Sequence, residues 1–397
     1  MTYSGPFNPK MLLVGEAWGA DEEKVKLPFV GVSGQELWRL LGEAMPHIAP
    51  ELHSHALELC SPQWGLAWIR RRDAWLEAAG IGMTNVLNMR PHNNKLDSLC
   101  VSKKELPHGV YPHAAMVRGK YLKPEYLHHL YRLLDEIEQY KPNLVVAMGN
   151  AACWAVLNTT GITSIRGTTI ISNISSFNSP VKVLPTFHPA SLLYEGQWSN
   201  RTVVVADLMK AAREAEYPEV RRPNRTVLVS PTLEEVREWI EETLRRRPWR
   251  LAVDIETSGG IIDCIGFASS PSNALVVPFG PHRYRRGQSF VIVRPIRNGE
   301  PVTNYWDFDE ERQVWKWIKI LLESGLPLVF QNGTYDLQYI RKVGIRPDLC
   351  ADDTMLAWHS LYAEMPKRLG FIGSILTDEV AWKNLNKLRS DTVKRDE

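Results

Sequence analysis

The sequence predicts an α/β protein built as two domains, on three observations. Its 397 residues exceed the roughly 100–200 of a single domain. Short apolar runs alternate with segments of helical apolar spacing through both halves. Residues 216–226, Glu-Tyr-Pro-Glu-Val-Arg-Arg-Pro-Asn-Arg-Thr, carry two prolines and a cluster of charges with little apolar periodicity, which marks a linker. The expected division is residues 1–222 and 223–397.

In the first half, residues 11–15 form a short apolar run ending in Gly. A helix over 34–45 follows, with Leu37, Leu40, Leu41 and Met45 on one face. Residues 84–87 read as a strand. Pro124 opens a helix as a first-turn proline does, with Leu127, Leu130, Leu134 and Ile137 at helical spacing. Residues 143–148 read as a buried strand ending at Gly149-Asn150, and a helix with Cys153 and Val156 comes next. A strand over 181–184 and a helix over 203–212 close this half. Such alternation argues for a mostly parallel sheet covered on both faces, with sites in the loops beyond the carboxyl ends of the strands.

The second half opens with a strand over 227–229 and a helix starting at Ser230-Pro231, with Leu233, Val236, Ile240 and Leu244 inward. Residues 251–255 are apolar apart from Asp254. Strands are expected at 265–268, 274–277 and 328–330, helices near 310–322 and from Gly333, and a surface loop or hairpin over 281–304.

Lys plus Arg is 47 against 45 Asp plus Glu, so net charge points to no polyanionic or polycationic partner. No run approaches the ~18 apolar residues of a membrane span, and the start, Met-Thr-Tyr-Ser-Gly-Pro, lacks a basic-then-apolar leader. A soluble cytoplasmic protein without a membrane partner is expected. The five cysteines, at 60, 100, 153, 264 and 350, are too scattered for a disulfide framework and read as small buried hydrophobes.

Four loops place polar residues just after predicted strands. They carry Gly-Glu-Ala-Trp-Gly at 15–19 leading to Pro-Phe-Val-Gly at 28–31, Thr-Asn-Val at 84–86, Val-Ala-Met-Gly-Asn at 146–150, and Leu-Pro-Thr-Phe-His-Pro-Ala-Ser-Leu-Leu at 184–193. In order and spacing this set resembles the uracil-DNA glycosylase superfamily, nearest the thermostable branch called family four, over roughly residues 9–215. The resemblance implies a three-layer parallel-sheet glycosylase fold. Breaking a glycosidic bond in DNA requires the base to leave the stack and enter a fitted pocket. By resemblance, Phe29 stacks on the base, Asn85 reads its edge through a donor–acceptor pair, and His188 meets the oxyanion that develops on the departing ring. Glu16 matches the first-motif acid, which positions water or steadies the sugar cation. Leu192 and Leu193 match the wedge that fills the vacated stack, while Ser191 and amides near Gly15, Gly31 and Gly34 are candidates to hold phosphate.

Two departures follow from the same comparison. Trp18 stands where the family has proline, adding bulk at the pocket. Met89 stands where a cluster cysteine would be, and there is no N-terminal Cys-x-x-Cys, so no iron–sulfur cluster is expected. Segments 47–79 and 92–121 read as insertions, the first a Trp-rich helix (Trp64, Trp68, Trp75) expected to cover the lost cluster contacts. Arg70-Arg71-Arg72 within it reads as a solvated face.

In the second half, Asp254 and Glu256 project from one face of a strand, and Asn332 and Asp336 from one face of a helix. A carboxylate pair in an apolar strand suits a hard cation, Mg²⁺ or Mn²⁺. Asp-Ile-Glu-Thr at 254–257 and Asn-x-x-Tyr-Asp at 332–336 resemble the 3′–5′ exonuclease domain of bacterial and phage family-A DNA polymerases, on an RNase H-like fold. That resemblance makes Asp254, Glu256 and Asp336 metal ligands. Asp353 reads as a helix cap rather than a ligand. The motif supplying the fourth carboxylate is missing: Val343 and Pro366 stand four residues after Tyr339 and Tyr362, and Asp391 lacks matching neighbours. Two functions fit. One is a phage-type repair enzyme that excises uracil from single- or double-stranded DNA, carrying an incomplete exonuclease-like domain. The other is a non-catalytic uracil-sensing module of a split polymerase, docking a separately encoded partner.

Overall fold

The computed structural model describes residues 3–44, 50–60, 65–106, 113–280, 282–286, 289–293, 296–297, 300–301, 305–377 and 379. Met45, Trp64 and Asp391, named above, lie outside them. Two compact units are present, Met1–Arg221 with the residues from Gly370 onward, and Arg222–Leu369. The linker therefore falls where composition changes, but residues 370–377 join the first unit and not the second as the sequence division had it. The physical reason is a set of buried polar groups on the first unit that this segment satisfies.

The first unit is built on a five-stranded sheet in the spatial order Ile81–Leu87, Met11–Ala17, Leu144–Met148, Lys182–Thr186, Ile170–Ile171. The first four run parallel and only the short edge strand is antiparallel. Every residue of Ile81–Leu87 is buried, so this strand is longer than the four residues its polar Thr-Asn suggested. Successive residues supply two cores, one on each face. Leu13 and Met83 pack with Leu37, Leu40 and Leu41 of the helix Val32–Ala44. Leu12, Val14 and Val145 pack with Leu130, Leu134 and Ile137 of the helix Leu127–Tyr140, and with Cys153 and Val156 of Gly149–Leu157. Each fully buried aliphatic side chain contributes about 1.5–3 kcal/mol. Pro124 opens a 3₁₀ turn, Pro124–Tyr126, that feeds the α-helix.

The helix Leu66–Ala79 buries Trp68 and Trp75 in the Leu13 core, with their indole N–H groups on the carbonyls of Leu59 (3.2 Å) and Leu52 (3.1 Å). Met89 and Cys100 belong to the opposite face of the sheet. The insertion therefore packs on the other core from Met89 and Cys100. Cys100 and Cys153 are buried, Cys60 and Cys264 half-buried, and Cys350 is exposed, so the burial expected of all five holds for two.

The second unit has a six-stranded sheet in the order Cys350–Asp353, Leu328–Phe330, Leu251–Ser258, Ile261–Ser270, Asn273–Pro278, Thr226–Leu228. The Leu251–Ser258, Ile261–Ser270 and Asn273–Pro278 strands form an antiparallel meander, and Leu328–Phe330 returns parallel to the first of them. Helices Leu233–Arg246 and Phe308–Leu322 pack on one face, against Val253, Ile255, Ile265 and Phe267. The first of these begins two residues later than Ser230, because Thr232 and Glu235 form a reciprocal capping box. Within 281–304, His282–Arg286 and Ser289–Val293 pair as an antiparallel hairpin. No helix among the described residues is long and apolar enough to cross a membrane.

Candidate active site

The parallel order of the first sheet reverses direction between Met11–Ala17 and Leu144–Met148, and loops at the carboxyl ends on either side of such a switch point form a crevice. Gly15 and Asn85 are direct neighbours across the first two strands, and Thr186 ends the strand that delivers His188. Gly15 shares its face of the sheet with Leu13, the side on which Phe29 packs. A methyl group built on Gly15 would lie 2.3 Å from Asn85 Oδ1 and 2.5 Å from Phe29 Cζ, so the bare glycine is what lets amide and ring approach the strand. The Phe29 and His188 rings are 6.3 Å apart, centroid to centroid, and tilted by 31°. Across the crevice, a methyl on Gly149 would stand 3.0 Å from His188 Cβ. The carboxamide and the phenyl thus meet at Gly15, and the imidazole stands beside the phenyl over Gly149.

His188 is electrically neutral here. Burial pushes its imidazole down to about 4. Its Nδ1 accepts the Ala190 N–H at 3.2 Å, so the one ring proton sits on Nε2, which leaves Nε2–H as a donor. Ser191 Oγ donates to the His188 carbonyl at 2.7 Å, which ties the turn together and takes Ser191 out of the phosphate role.

Phe29 holds a left-handed backbone, φ 56°, uncommon for an aromatic residue, and its surroundings fix it there. Gly34 packs on its peptide so closely that a methyl would lie 2.1 Å from the Phe29 carbonyl oxygen. The buried Glu22 carboxylate accepts three backbone N–H groups, from Gly19 (3.1 Å), Val30 (3.0 Å) and Gly31 (2.7 Å). That use of the Gly31 amide removes it from the candidate phosphate ligands. Arg72, fully buried rather than solvated, donates to the Pro28 carbonyl at 3.2 Å. Asn85 is braced from the far side of the sheet. Arg132 donates to the carbonyls of Asn85 and Val86 and to Thr84 Oγ1, and pairs with Glu136 at 2.6 Å. Sequence reasoning missed Glu22, Arg72 and Arg132. Glu22 and Arg72 are buried and Arg132 half-buried, and burial is not visible in a charge pattern.

Glu16 follows Gly15 and, by strand alternation, turns to the other side. It lines a cavity of about 690 Å³ with Lys95, Asp97, Arg118, Asn150 and Thr160, and burial raises its carboxyl above the ordinary value. Trp18 is buried, its backbone N–H on the carbonyls of Leu87 and Met89, with the Lys26 ammonium 5.1 Å from its ring. Leu192 is fully buried in the Leu13 core and is no wedge. Leu193 is 44% exposed, followed by exposed Tyr194 and Trp198, so the apolar edge beside His188 is one residue narrower at its start and longer at its end than predicted.

In the second unit, Asp254 and Glu256 do share the exposed face of their strand. Asp336 is buried, and its Oδ1 accepts the Ile255 N–H at 2.9 Å. Burial, then the Asp254 charge, raises Asp336 to about 6. Asp353 caps the helix Thr354–Leu361 through Met355 N–H (2.8 Å) and also accepts Gly333 N–H (2.8 Å), the capping role read from sequence. Beside Asp254 the open face is an apolar hollow of about 340 Å³, lined by Ala252, Gly266, Ala268, Ala274 and Val276. Among the described residues no three carboxylate, histidine or cysteine side chains are gathered so as to hold a metal ion. Of the expected ligands Asp254, Glu256 and Asp336, the last gives Oδ1 to the Ile255 amide, and among the described residues no fourth acid completes the group.

A family model described as the uracil DNA glycosylase superfamily matches residues 2–209. The chain is 27% identical over 209 residues to a type-4 uracil-DNA glycosylase of Thermotoga maritima, covering 52% of this chain and 78% of that protein. It is 26% identical over 193 residues to a type-4 uracil-DNA glycosylase of Archaeoglobus fulgidus, covering 47% and 69%.

Proposed function

The chain belongs to the uracil DNA glycosylase superfamily, and we propose that its first unit excises uracil from DNA by hydrolysing the N-glycosidic bond. The observation that carries this reading is the gathering of two side chains about Phe29, with Asn85 beside it at Gly15 and the His188 ring 6.3 Å from its own. An extruded uracil stacks on Phe29 and presents its edge to the Asn85 carboxamide, whose oxygen and NH₂ match one donor and one acceptor. As the bond to the sugar lengthens, negative charge grows on the base. The His188 Nε2–H meets it, and a neutral donor keeps its proton while that charge develops. Glu16, in the adjoining cavity, steadies the positive charge on the sugar or holds the attacking water.

The unit is proposed to work without an iron–sulfur cluster. Met89 packs against an apolar core, and Cys100 is buried within it, its thiol pushed up by burial to about 11. A cluster ligand needs the thiolate, which that setting disfavours.

For the second unit we propose an RNase H-like, exonuclease-related fold. The meander followed by two parallel strands on the Leu251 side supports it. No metal-dependent step is derived for it, since the donor set is not gathered.

One observation favours a second reading, a non-catalytic uracil-sensing module serving a separately encoded polymerase: Glu16 lines a cavity with residues other than Phe29, Asn85 and His188. Incubation with a uracil-containing oligonucleotide, with and without chelator and followed by alkali, separates the two. Alkali-labile cleavage at uracil that chelator leaves unchanged is the expected result. Binding without cleavage, on both single and double strands, would overturn the enzymatic reading in favour of the sensor.

A further inference from the structure

The helix Leu369–Leu376 follows the whole second unit in the chain, yet its polar groups complete the first. Ser374 Oγ accepts from Arg166 Nη1 at 2.8 Å. Arg166 grips Asp207 with two nitrogens, Nε to Oδ2 at 3.0 Å and Nη2 to Oδ1. Asp207 Oδ2 also accepts from Thr186 Oγ1 at 2.7 Å, and Thr186 lies two residues before His188. A parallel set of bonds runs through Lys210, one turn further along the helix Asn200–Glu214. Its ammonium donates to the carbonyls of Gly167 (2.8 Å), Ser374 (2.7 Å) and Thr377 (2.5 Å), and Gly167 N–H donates in turn to the Pro185 carbonyl at 2.8 Å. Arg166, Asp207 and Lys210 are each at most 3% exposed, and the Phe371 ring lies 5.6 Å from the guanidinium. Gly167, at φ +70°, leaves no room for a side chain: a methyl would lie 2.8 Å from both Asp207 Oδ1 and the Ser374 carbonyl oxygen.

Buried charges are tolerated only where their hydrogen-bonding capacity is met. Two carbonyl acceptors of Lys210 and one hydroxyl acceptor of Arg166 come from residues 374–377. Without this segment a buried ammonium would lose the Ser374 and Thr377 carbonyls. Both hydrogen-bonded routes end on the Pro185–Thr186 stretch that aims His188. We infer that residues 370–377 are the closing element of the glycosylase unit, with Ser374, Arg166 and Lys210 as positioning residues for His188, so that residues 222–369 are inserted within that unit rather than appended to it. The helix holds the strand end from behind, and its loss lets the imidazole drift without touching the base-binding groups.

This inference rests on the proposed glycosylase reading for its kinetic consequence but not for its structural one, and the test separates the two. In the full chain, Ser374→Ala, Ser374→Thr and Lys210→Met are compared with the parent by hydrogen exchange of the 183–190 amides without DNA. Single-turnover excision and oligonucleotide affinity on a uracil-containing strand are measured alongside. Ser374→Ala is expected to speed exchange at 185–190 and to slow excision three- to tenfold with affinity within twofold, and Ser374→Thr to restore both. Lys210→Met is expected to act more strongly, and should it fail to fold, the serine pair decides. Unchanged exchange at 185–190 in Ser374→Ala, or amides of 370–377 that exchange freely in the parent, would overturn the inference. A parent that protects both segments but excises nothing would overturn the glycosylase reading alone.

Discussion

Gly15→Ala is the sharpest probe of the proposed base site, because it replaces one hydrogen with a methyl group where Phe29 and Asn85 converge. The new methyl would lie 2.3 Å from Asn85 Oδ1 and 2.5 Å from Phe29 Cζ, where ordinary contact begins at 3.4 Å. Amide and ring must therefore retreat by about 1 Å, and displacements of that size in positioning groups cost about 100-fold in rate, or about 2.7 kcal/mol of barrier. Neither neighbour yields easily: both are buried, and the Phe29 peptide is already wedged against Gly34. The backbone itself accepts alanine, since Gly15 is an extended strand residue paired with Asn85 and is not among the positive-φ glycines. The expected cost to stability is the ordinary overpacking term of about 1–3 kcal/mol. The assay is single-turnover release of uracil from a labelled oligonucleotide beside a thermal melt. Gly65→Ala serves as control, because a methyl there meets nothing within 4 Å. A folded Gly15→Ala protein that excises within threefold of the parent would refute the pocket as drawn.

Asn85→Ala should lower excision by at least about 100-fold, as loss of an oriented hydrogen-bonding group in a preorganised site does, with a melt that shows the protein folded. Leu192→Ala should destabilise by about 2–5 kcal/mol, as a core truncation does. Leu193→Ala, on the exposed edge, should change stability by less than about 0.5 kcal/mol while weakening excision from duplex DNA more than from single strands. Stability should also fall with acid. His188 titrates near 4 in the fold but near 6.5 when unfolded, so below about 6.5 the unfolded chain takes up a proton that the folded one refuses. The loss accumulates down to about pH 4, levels off below it, and amounts to about 3 kcal/mol. Denaturant titrations at pH 7 and 4.5, with His188→Gln as the flattened comparison, read this directly.

The elements of both units were legible in the sequence because apolar period and punctuation are local signals. Leu37, Leu40 and Leu41 announce a helix face, and the Gly149 turn ends a strand, without knowledge of anything distant. The residues proposed to touch the base were named from ordered motifs. What was not legible is the layer behind them. Glu22 looks like one more acid in Asp-Glu-Glu, and Arg72 like the last of three surface arginines, yet each is buried to hold the Phe29 loop. Leu192 and Leu193 are indistinguishable by type, and only the 3₁₀ turn Pro189–Leu193 decides that the first faces the core and the second faces outward. The adjacency of Gly15 and Glu16 misled in the same way. One motif sends Gly15 toward Phe29 and Asn85 and Glu16 into a cavity lined by other residues, because consecutive strand residues face opposite sides.

The second unit shows how far local spacing carries and where it stops. The i, i+2 carboxylates of Asp254 and Glu256 do share a face, as a two-residue period requires, and Asp336 does reach their strand across the sheet. A metal site needs more than a common face, because it needs lone pairs left over to converge on one point. Asp336 gives Oδ1 to the Ile255 amide, and Asp353 is taken up in capping one helix and meeting the amide that starts another. Burial raises Asp336 toward its neutral form, and the Asp254 charge raises it further. The fold of an acid-bearing strand is thus a local property. The charge state of its acids is a property of everything packed around them, and in this chain the two part company.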